Sequence, residues 1–257
     1  MAEPDLVALW LGSLDASTWW EQDADVAAYS ASLMKLPIAI AAQRRHERGE
    51  LGEQGLDTAV LVHDDFDSVV AGERYVLDRD DDQDDATWDD RGGRTTLREL
   101  RRRALVMSGN LATNLLLEAV GLGEVSAALA DAGCSDALQI VRGIDDQPAR
   151  QAGIQNVVTA RDLGRLLGHT PSAVEEVLLA QQYRDAIPAG VPAGTRIANK
   201  TGWIDDHTHD IAIVRPTPEQ GGEPFALVVL TRIGGGSYDA GNRLIADLAA
   251  QAWERRR

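Results

Sequence analysis

Stretches typical of β-strands stand near both ends of this chain, and a long stretch typical of helices separates them. Residues 5–14 and 17–29 are rich in Val, Leu and Trp and are joined by turn residues. After about residue 194, the stretches GTRIANKTGW, THDIAIVR and FALVVLTRI have the β-branched, apolar character of short strands. This placement predicts one antiparallel sheet of five strands, assembled from both termini.

Helical patterns fill most of the remaining chain. One helix is predicted from about Ser32 to Arg48, with Gly49 as its C-terminal stop. The last residues, SYDAGNRLIADLAAQAWERRR, are typical of an amphipathic terminal helix. Between about residues 50 and 184, almost every stretch has the character of helix or loop.

We therefore predict an α/β (α+β) fold of two lobes. Residues 1–48 and 185–257 form an α/β lobe around the sheet, and residues 49–184 form an inserted all-helical lobe. The cleft between two such lobes is the natural place for a ligand, so we expect the active site there.

An acidic stretch lies within the predicted helical lobe. Residues 78–94, DRDDDQDDATWDDRGGR, carry many carboxylates and glycines, and we interpret them as a solvated loop. A calcium site is the alternative, but the EF-hand spacing with its Gly and terminal Glu is missing. Helix-capping sequences follow in TLRE, residues 96–99, and in TARD, residues 159–162.

Charge and hydropathy narrow the choice of partners. A net charge of -16 argues against nucleic acid or an anionic membrane, because phosphate binding needs clustered basic residues. The longest apolar run, Leu33 to Ala42, is interrupted by Lys35 and Pro37 and is shorter than the roughly 20 residues of a membrane span. The N-terminal stretch lacks a basic region, so the chain as written is expected in the cytoplasm, or secreted if a signal peptide preceded it.

Metal and thiol chemistry are not indicated. Cys134 is the single cysteine, which excludes an internal disulfide and a thiolate metal cluster, and it is expected to pack rather than react. His207 and His209 stand two apart on a predicted strand, but no third ligand is in view. We expect no metal and no cofactor.

Nearly all the basic residues of the chain are arginines. Of its 25 basic residues, only Lys35 and Lys200 are lysines. In SLMK, Ser32 and Lys35 are three apart and so share one face of the predicted helix. Serine needs a base to take its proton, and a desolvated lysine can do so where an arginine cannot. A catalytic Ser–Lys pair is therefore a candidate.

Two further stretches strengthen that interpretation. MSGNLATN supplies Ser108 and Asn110, and NKTGW supplies Lys200, Thr201 and Gly202 at the end of a predicted strand. SLMK, SGN and KTG, in this order, resemble the active-site serine β-lactamases and penicillin-binding proteins, in particular their class A β-lactamase branch. The resemblance covers nearly the whole chain, and both lysines lie inside its motifs.

The resemblance implies a set of catalytic roles. Ser32 would be the acylated nucleophile and Lys35 its base. Ser108 would relay a proton to the leaving nitrogen, and Lys200 would keep the site positive for a substrate carboxylate.

The resemblance also implies substrate-binding roles. Asn110 would hold an amide side chain of the substrate, and Thr201 would donate a hydrogen bond to its carboxylate. Gly202 would let the strand approach the substrate closely. The backbone N–H groups of Ser32 and Trp203 would form the oxyanion hole.

The sequence departs from the family at three places. Gly109 stands in the second motif where Asp is common, and this should loosen its loop. Trp203 stands where small residues are usual, and its ring is expected to narrow the substrate groove. Two residues after Arg142, where class A enzymes have the glutamate that activates the deacylating water, the chain has Ile144. Asp145 follows and is a candidate deacylation base, one residue displaced and one methylene shorter.

Three functions follow as hypotheses. The first is a β-lactamase-like serine hydrolase that forms an acyl-enzyme on Ser32, reacts with β-lactams, cleaves a small amide, lactam or ester with or without a carboxylate, and releases penicillins slowly. The second is a D-alanyl carboxypeptidase or transpeptidase-like penicillin-binding protein, which needs export and an anchor. The third is a non-catalytic ligand-binding member of the fold, against which the intact SLMK and KTG argue. The sequence leaves the oligomeric state open.

Overall fold

The computed structural model describes residues 5–235 and 237–257 and contains a five-stranded antiparallel sheet. The strands are β1 Leu6–Ser13, β2 Thr18–Gln22, β3 Ala28–Tyr29, β4 Ala59–Leu61, β5 Asp65–Asp67, β6 Arg74–Val76, β7 Arg94–Thr96, β8 Val157–Val158, β9 Arg196–Ile204, β10 His207–Arg215 and β11 Phe225–Arg232. The large sheet has the order β2-β1-β11-β10-β9, and the other strands form small pairs. The predicted sheet, assembled from both ends of the chain, is confirmed.

Helices make up much of the described chain. They are α1 Lys35–Glu47, α2 Asp85–Asp89, α3 Leu97–Val106, α4 Asn110–Val120, α5 Leu122–Asp131, α6 Gln147–Gln151, α7 Ala160–Gly168, α8 Ser172–Leu178, α9 Ile187–Gly190 and α10 Tyr238–Arg255. No described helix alone is long and apolar enough to cross a membrane, and only α4 with α5, bent by 85° at their junction, meets that criterion of length and composition.

Contacts divide the chain into two compact units. The first is Met1–Leu33, Ala130–Leu138 and Val157–Arg257, and the second is Met34–Leu129 and Gln139–Asn156. The two lobes predicted from the sequence stay a prediction, and residues 1–4 and 236 of the predicted α/β lobe lie outside the described residues.

In the first unit both faces of the sheet are covered. One face packs against α9 and α10 through apolar side chains that include Leu9, Leu11, Ile187, Leu227, Ile245 and Trp253. Trp10 lies on the opposite face and contacts α7, where a Cβ added at Gly164 would collide with its ring. Burial on both faces explains why β11, FALVVLTR, is apolar at nearly every position instead of alternating.

In the second unit, α1 packs against α3 and α4. Its residues from Lys35 to Gln43 are all buried, so the helix is enclosed on every side. The predicted helix start at Ser32 is a 3-10 turn, Ala31–Met34, and the α-helix begins at Lys35. Pro37 therefore lies in the first turn of α1, where its missing N–H costs no hydrogen bond.

The predicted helix caps are present, whereas some predicted strand bounds differ from the structure. Thr96 accepts a hydrogen bond from the N–H of Glu99, and Thr159 accepts one from the N–H of Asp162, so both predicted caps are confirmed. The predicted second strand, 17–29, is instead β2 and β3 with a turn between them. The helical middle also contains the short strands β4 to β7.

The prediction that residues 78–94 form a solvated loop was wrong for part of the segment. Residues 78–94 contain a 3-10 turn, Arg79–Asp81, and the short helix α2. Asp84, Thr87 and Trp88 are buried, because these side chains pack inward while their neighbours remain in solvent. The segment is therefore part of the folded core of the second unit.

Two glycine substitutions test the packing of α7. Gly164→Ala would place a methyl group against the ring of Trp10, so we expect the free energy of unfolding to fall by about 1–3 kcal/mol. Gly123→Ala is the matched control, because a Cβ there meets nothing within 4 Å. The control should leave stability unchanged or raise it by up to about 1 kcal/mol in urea unfolding. Equal effects of the two substitutions would contradict the packing described here.

Candidate active site

Ser32 lies in the 3-10 turn that runs directly into α1. From Ala31 to Gln43 it is the only residue that is not buried. Ala31, just before it, has φ 43°, a left-handed conformation that is uncommon for a residue with a side chain. The serine is therefore the accessible position of an otherwise buried and locally strained segment.

Strand β9 approaches the backbone of this turn. A Cβ added at Gly202 would lie 3.1 Å from the amide nitrogen of Ser32 and 3.2 Å from that of Leu33. A glycine is therefore what allows the close approach. Because β9 is an edge strand, alternate N–H groups of its backbone point away from the sheet. The structure thus brings Ser32 and the KTG end of β9 together.

Lys35 is fully buried in the second unit, at the start of α1. Its Nζ donates to the carbonyl oxygen of Ser108, lies 3.2 Å from the Oγ of Ser108, and donates to Asn110 Oδ1 at 2.8 Å. Burial lowers the pKa of Lys35 from 10.5 to about 7, although the carboxylates of Asp82, Asp145 and Asp84 oppose the shift. Near neutral pH the amine therefore exists in both protonation states.

The SGN loop is a strained turn held from outside the motif. Ser108 is buried and has φ 60°, and Gly109 after it is the N-cap of α4. The carboxylate of Asp82 accepts hydrogen bonds from the N–H groups of Asn110 and Leu111, both at 2.8 Å. This carboxylate caps α4 and fixes the residues that hold Lys35.

Asp82 is a residue that the sequence reasoning missed. It belongs to the stretch interpreted as solvated loop, where Asp80, Asp81 and Asp82 look alike. Its capping role joins residues 28 positions apart. The only sequence signal was indirect, because Gly109 offers no side chain to cap its own helix.

Asp145 lies on the loop after Arg142 and has φ 54°, in the left-handed region. Burial raises the pKa of its carboxyl, and Asp81 adds to the shift, while Arg142 and Lys35 oppose it. Asn114 holds the preceding residue, Ile144, through hydrogen bonds to its N–H at 2.8 Å and its carbonyl at 2.9 Å. The loop is therefore fixed in register, and the charge of Asp145 is felt by Lys35.

Lys200 and Thr201 lie on β9 in the first unit, and both are buried. The Nζ of Lys200 donates to the carbonyl of Thr201 at 2.7 Å. The hydroxyl oxygen of Thr201 is buried, and no hydrogen-bond partner is found for it among the described residues. A buried hydroxyl in this state costs free energy unless a bound group satisfies it.

Trp203 belongs to an aromatic cluster of the first unit. Its ring centroid lies 4.8 Å from that of Tyr183 and 5.2 Å from that of Tyr238, both in tilted or edge arrangements that aromatic rings favour. The side chain is partly exposed. The effect of its ring on the substrate groove stays a prediction.

Two buried ionisable groups, Asp210 and His209, lie on β10 next to KTG, and the sequence reasoning missed Asp210. Asp210, directly opposite Thr201 in the β9–β10 register, accepts hydrogen bonds from Asn199 Nδ2 at 3.1 Å and from the N–H of Ile187 at 3.0 Å. Burial raises the pKa of Asp210 to about 7. The carboxyl links β9, β10 and α9.

His209 has a fixed tautomer. The N–H of Thr231 donates to its Nδ1 at 3.2 Å, so Nε2 carries the proton and donates to the carbonyl of Tyr29 at 2.9 Å. Burial lowers the pKa of the ring to about 4, and the histidine is neutral. It connects β10 to the chain just before Ser32.

The remaining candidates for reactive chemistry have ordinary surroundings. Burial raises the pKa of Cys134 to about 12, and its thiol lies 3.4 Å from the carbonyl of Asp162, so it is held as an unreactive thiol. Within residues 5–235 and 237–257, no three His, Cys, Asp or Glu side chains are grouped as metal ligands.

Solved structures similar to this one include class A β-lactamases. A β-lactamase from Xanthomonas campestris pv. campestris has a TM-score of 0.80 and 20% identity over 98% of this chain and 91% of its own. An ancestral class A β-lactamase, GNCA, has a TM-score of 0.78 and 22% identity over 97% and 94%. The enzyme L2, in complex with relebactam, has a TM-score of 0.78 and 21% identity over 96% and 90%. These likenesses show that the fold is that of the class A β-lactamases.

The sequence itself gives the family. The β-lactamase enzyme family matches residues 2–255, so the chain belongs to that family and is a β-lactamase-like hydrolase. No curated protein matches the sequence closely enough to count as a relative.

Replacing Lys35 by Met tests the burial of its amine. Between pH 7 and 10.5 the folded wild type has lost this proton while the unfolded chain keeps it, so wild-type stability rises with pH there. The variant lacks that rise. We therefore compare the unfolding free energy of Lys35→Met with that of wild type. This difference should be highest below the pKa of Lys35 in the folded protein and should fall with rising pH. The total fall should be about 1.4 kcal/mol for each unit by which burial shifts the pKa. Urea unfolding across this range measures it.

Ser32→Ala serves as the control for Lys35→Met, because it removes no group that titrates in this range. Its stability difference from wild type should be independent of pH. A pH-independent difference for Lys35→Met as well would contradict the lowered pKa.

Proposed function

We propose that the protein is a serine hydrolase that forms an acyl-enzyme on Ser32, with Lys35 as the base. The observation that carries the proposal is the state of Lys35, fully buried with a pKa of about 7 and located three residues after an accessible serine. A general base works best when its pKa lies near the working pH, because it then combines the free form with proton affinity. An arginine at this position could not serve.

In the first half of the reaction, neutral Lys35 takes the hydroxyl proton of Ser32 as its Oγ attacks the substrate carbonyl carbon. The N–H groups of Ser32 and Trp203 stabilise the oxyanion that forms, which the close approach of Gly202 to the Ser32 amide supports. As the C–N or C–O bond breaks, Ser108 passes a proton to the leaving atom. Its contact with Lys35 at 3.2 Å gives that proton a source.

Polar groups of the KTG strand and of the SGN loop bind the substrate. The hydroxyl of Thr201, buried and without a described partner, is suited to a substrate carboxylate or carbonyl, and Lys200 supplies the positive charge. Asn110 would hold an amide of the substrate through its side chain. Its Nδ2 now donates to the carbonyl of Asp81 at 2.9 Å, and its Oδ1 accepts from Lys35.

In the second half, water must attack the acyl-enzyme with help from a base. Ile144 cannot accept a proton, and Asp145 is the nearest carboxylate along the loop. Its electrostatic coupling to Lys35 supports a position facing the reacting groups. Because its side chain is short and its loop is fixed by Asn114, we propose that it activates water poorly for penicillins. The natural substrate would then be an ester or a less hindered amide.

Intact-mass measurement tests the nucleophile. A penicillin or a fluorophosphonate should add one equivalent to the wild-type protein, and Ser32→Ala should abolish the adduct without loss of fold. Ser30→Ala is a matched control, because Ser30 is buried and donates to the carbonyl of Ala31. Labelling that survives Ser32→Ala would end the assignment.

Release of the acyl group tests the second half of the cycle. We expect penicillin to remain bound to the wild type for minutes or longer. Removing a general base typically slows a step by about 10²–10⁴-fold, so Asp145→Asn should slow release further. Ile144→Glu should speed it by supplying a longer carboxylate. Time-resolved mass spectrometry after removal of free penicillin measures both.

Gln147→Glu provides the control for Ile144→Glu, because it adds the same charge three residues further on, at the exposed first residue of α6. It should leave the release rate unchanged. Rapid steady-state turnover of penicillin by the wild type, with no detectable adduct, would contradict slow release.

A further inference from the structure

Gly109 is a glycine for reasons of space and not of backbone conformation. Its φ of −60° and ψ of 128° are open to any residue. A Cβ added there, however, would lie 2.8 Å from the Cβ of Asp84 and 2.9 Å from its Oδ2. Real Cβ atoms essentially never approach other heavy atoms so closely. The side chain of Asp84 therefore fills the volume that a side chain at residue 109 would need.

Asp84 cannot simply move aside. It is fully buried at the start of α2, and its Oδ2 accepts a hydrogen bond from the hydroxyl of Thr87. The same hydroxyl accepts from Arg103 Nη1 at 3.3 Å. The other carboxyl oxygen of Asp84, Oδ1, is buried, and no hydrogen-bond partner is found for it among the described residues. A carboxyl held in this way against a cost of desolvation requires a structural or functional reason.

The position of Asp84 points to such a reason. Ser108 and Asn110, on either side of Gly109, are the residues whose side chains contact Lys35. Asp82, two residues before Asp84, caps the helix that starts at Asn110. One short acidic segment therefore contacts the SGN loop at its backbone N–H groups and at its glycine.

We propose that Asp84 is a positioning residue of the active site, whose side chain fills the space beside Gly109 and fixes the SGN loop around Lys35. Asp84 and Gly109 are then a matched pair, because the side chain of Asp84 leaves room only for a glycine at residue 109. This inference rests on the proposed function for its catalytic meaning, whereas the pairing of the two residues stands on geometry alone.

The proposal has an electrostatic consequence. Lys35 is faced by the carboxylates of Asp82, Asp84 and Asp145, and by the neutral groups of Ser108 and Asn110. Each carboxylate raises the pKa of Lys35 against the effect of burial. Removing the charge of Asp84 lowers that pKa further, so the free base persists to lower pH. The acidic limb of the acylation rate then moves to lower pH.

A double-mutant cycle tests the pairing without any assay of activity. Gly109→Asp alone should lower the melting temperature by several degrees, because its side chain collides with Asp84. In the double variant Asp84→Gly/Gly109→Asp both the Cβ and the carboxyl of residue 84 are gone, so the collision is removed and most of that loss should be recovered. Asp80→Ala, which removes an exposed acid of the same segment, is the control and should not alter the effect of Gly109→Asp. Additive effects of Asp84→Gly and Gly109→Asp would overturn the pairing.

Acylation kinetics test the positioning role. The rate of Ser32 adduct formation is measured against pH by intact mass in wild type, Asp84→Ala, Asp84→Asn and the double variant. Asp84→Ala should slow acylation by about 10–100-fold, in line with the cost of small misplacements near reacting groups. Asp84→Asn keeps the volume and removes the charge, so its acidic limb should move to lower pH with a smaller loss of rate. The double variant should recover both properties.

Two results would overturn the proposal. One is an Asp84→Ala protein that acylates like Asp80→Ala, and the other is an Asp84→Asn protein whose pH profile matches wild type. If the wild type forms no adduct at Ser32, the proposed function fails. The melting-temperature cycle still decides whether Asp84 and Gly109 are paired, so the two failures are distinguishable.

Discussion

The burial of a lysine amine is the constraint on which the site depends. An isolated ammonium group in an apolar interior is costly, and the usual response is a loss of the proton. Here the cost is only partly offset, because α1 encloses Lys35 while oxygen atoms of the SGN loop accept its hydrogen bonds. The compromise leaves a pKa of about 7. A fold that fully solvated the amine, or fully paired it, would leave it protonated and without use as a base.

The acidic segment around Asp82 and Asp84 helps to keep Lys35 and its hydrogen-bond partners in place. Asp82 caps α4 through two backbone N–H groups, and Asp84 packs against the glycine between the two Lys35 partners. Both carboxylates also oppose the loss of the lysine proton. The charge of -16 thus includes groups with a definite local role. Removing the charge of an exposed acid such as Asp80 is therefore physically different from removing the charge of Asp84, although both residues are aspartates.

The sequence predicted what depends on local patterns. The sheet strands, the caps at Thr96 and Thr159, and the terminal helix all follow from periodicity or from short capping motifs, and these elements are present. The capping role of Asp82 could not be predicted, because it joins the chain across 28 positions and nothing local separates Asp82 from its acidic neighbours. The burial of Asp84 was likewise not predicted. The one sequence feature related to it was the glycine at residue 109, which was expected to loosen the loop.

The Asp145 loop departs from the regular alternation of side chains along an extended segment. In a regular extended segment, neighbouring side chains point to opposite sides, so a carboxylate one residue after Ile144 would point away from where residue 144 points. The left-handed φ of 54° at Asp145 breaks that alternation. The strain is sustained from both sides, because Asn114 holds Ile144 and Asp146 caps α6. Since both anchors fix the register, the loop cannot slide to bring Asp145 into the place of Ile144. Any base activity of Asp145 must therefore come from this reversed turn, with the shorter reach that an aspartate gives.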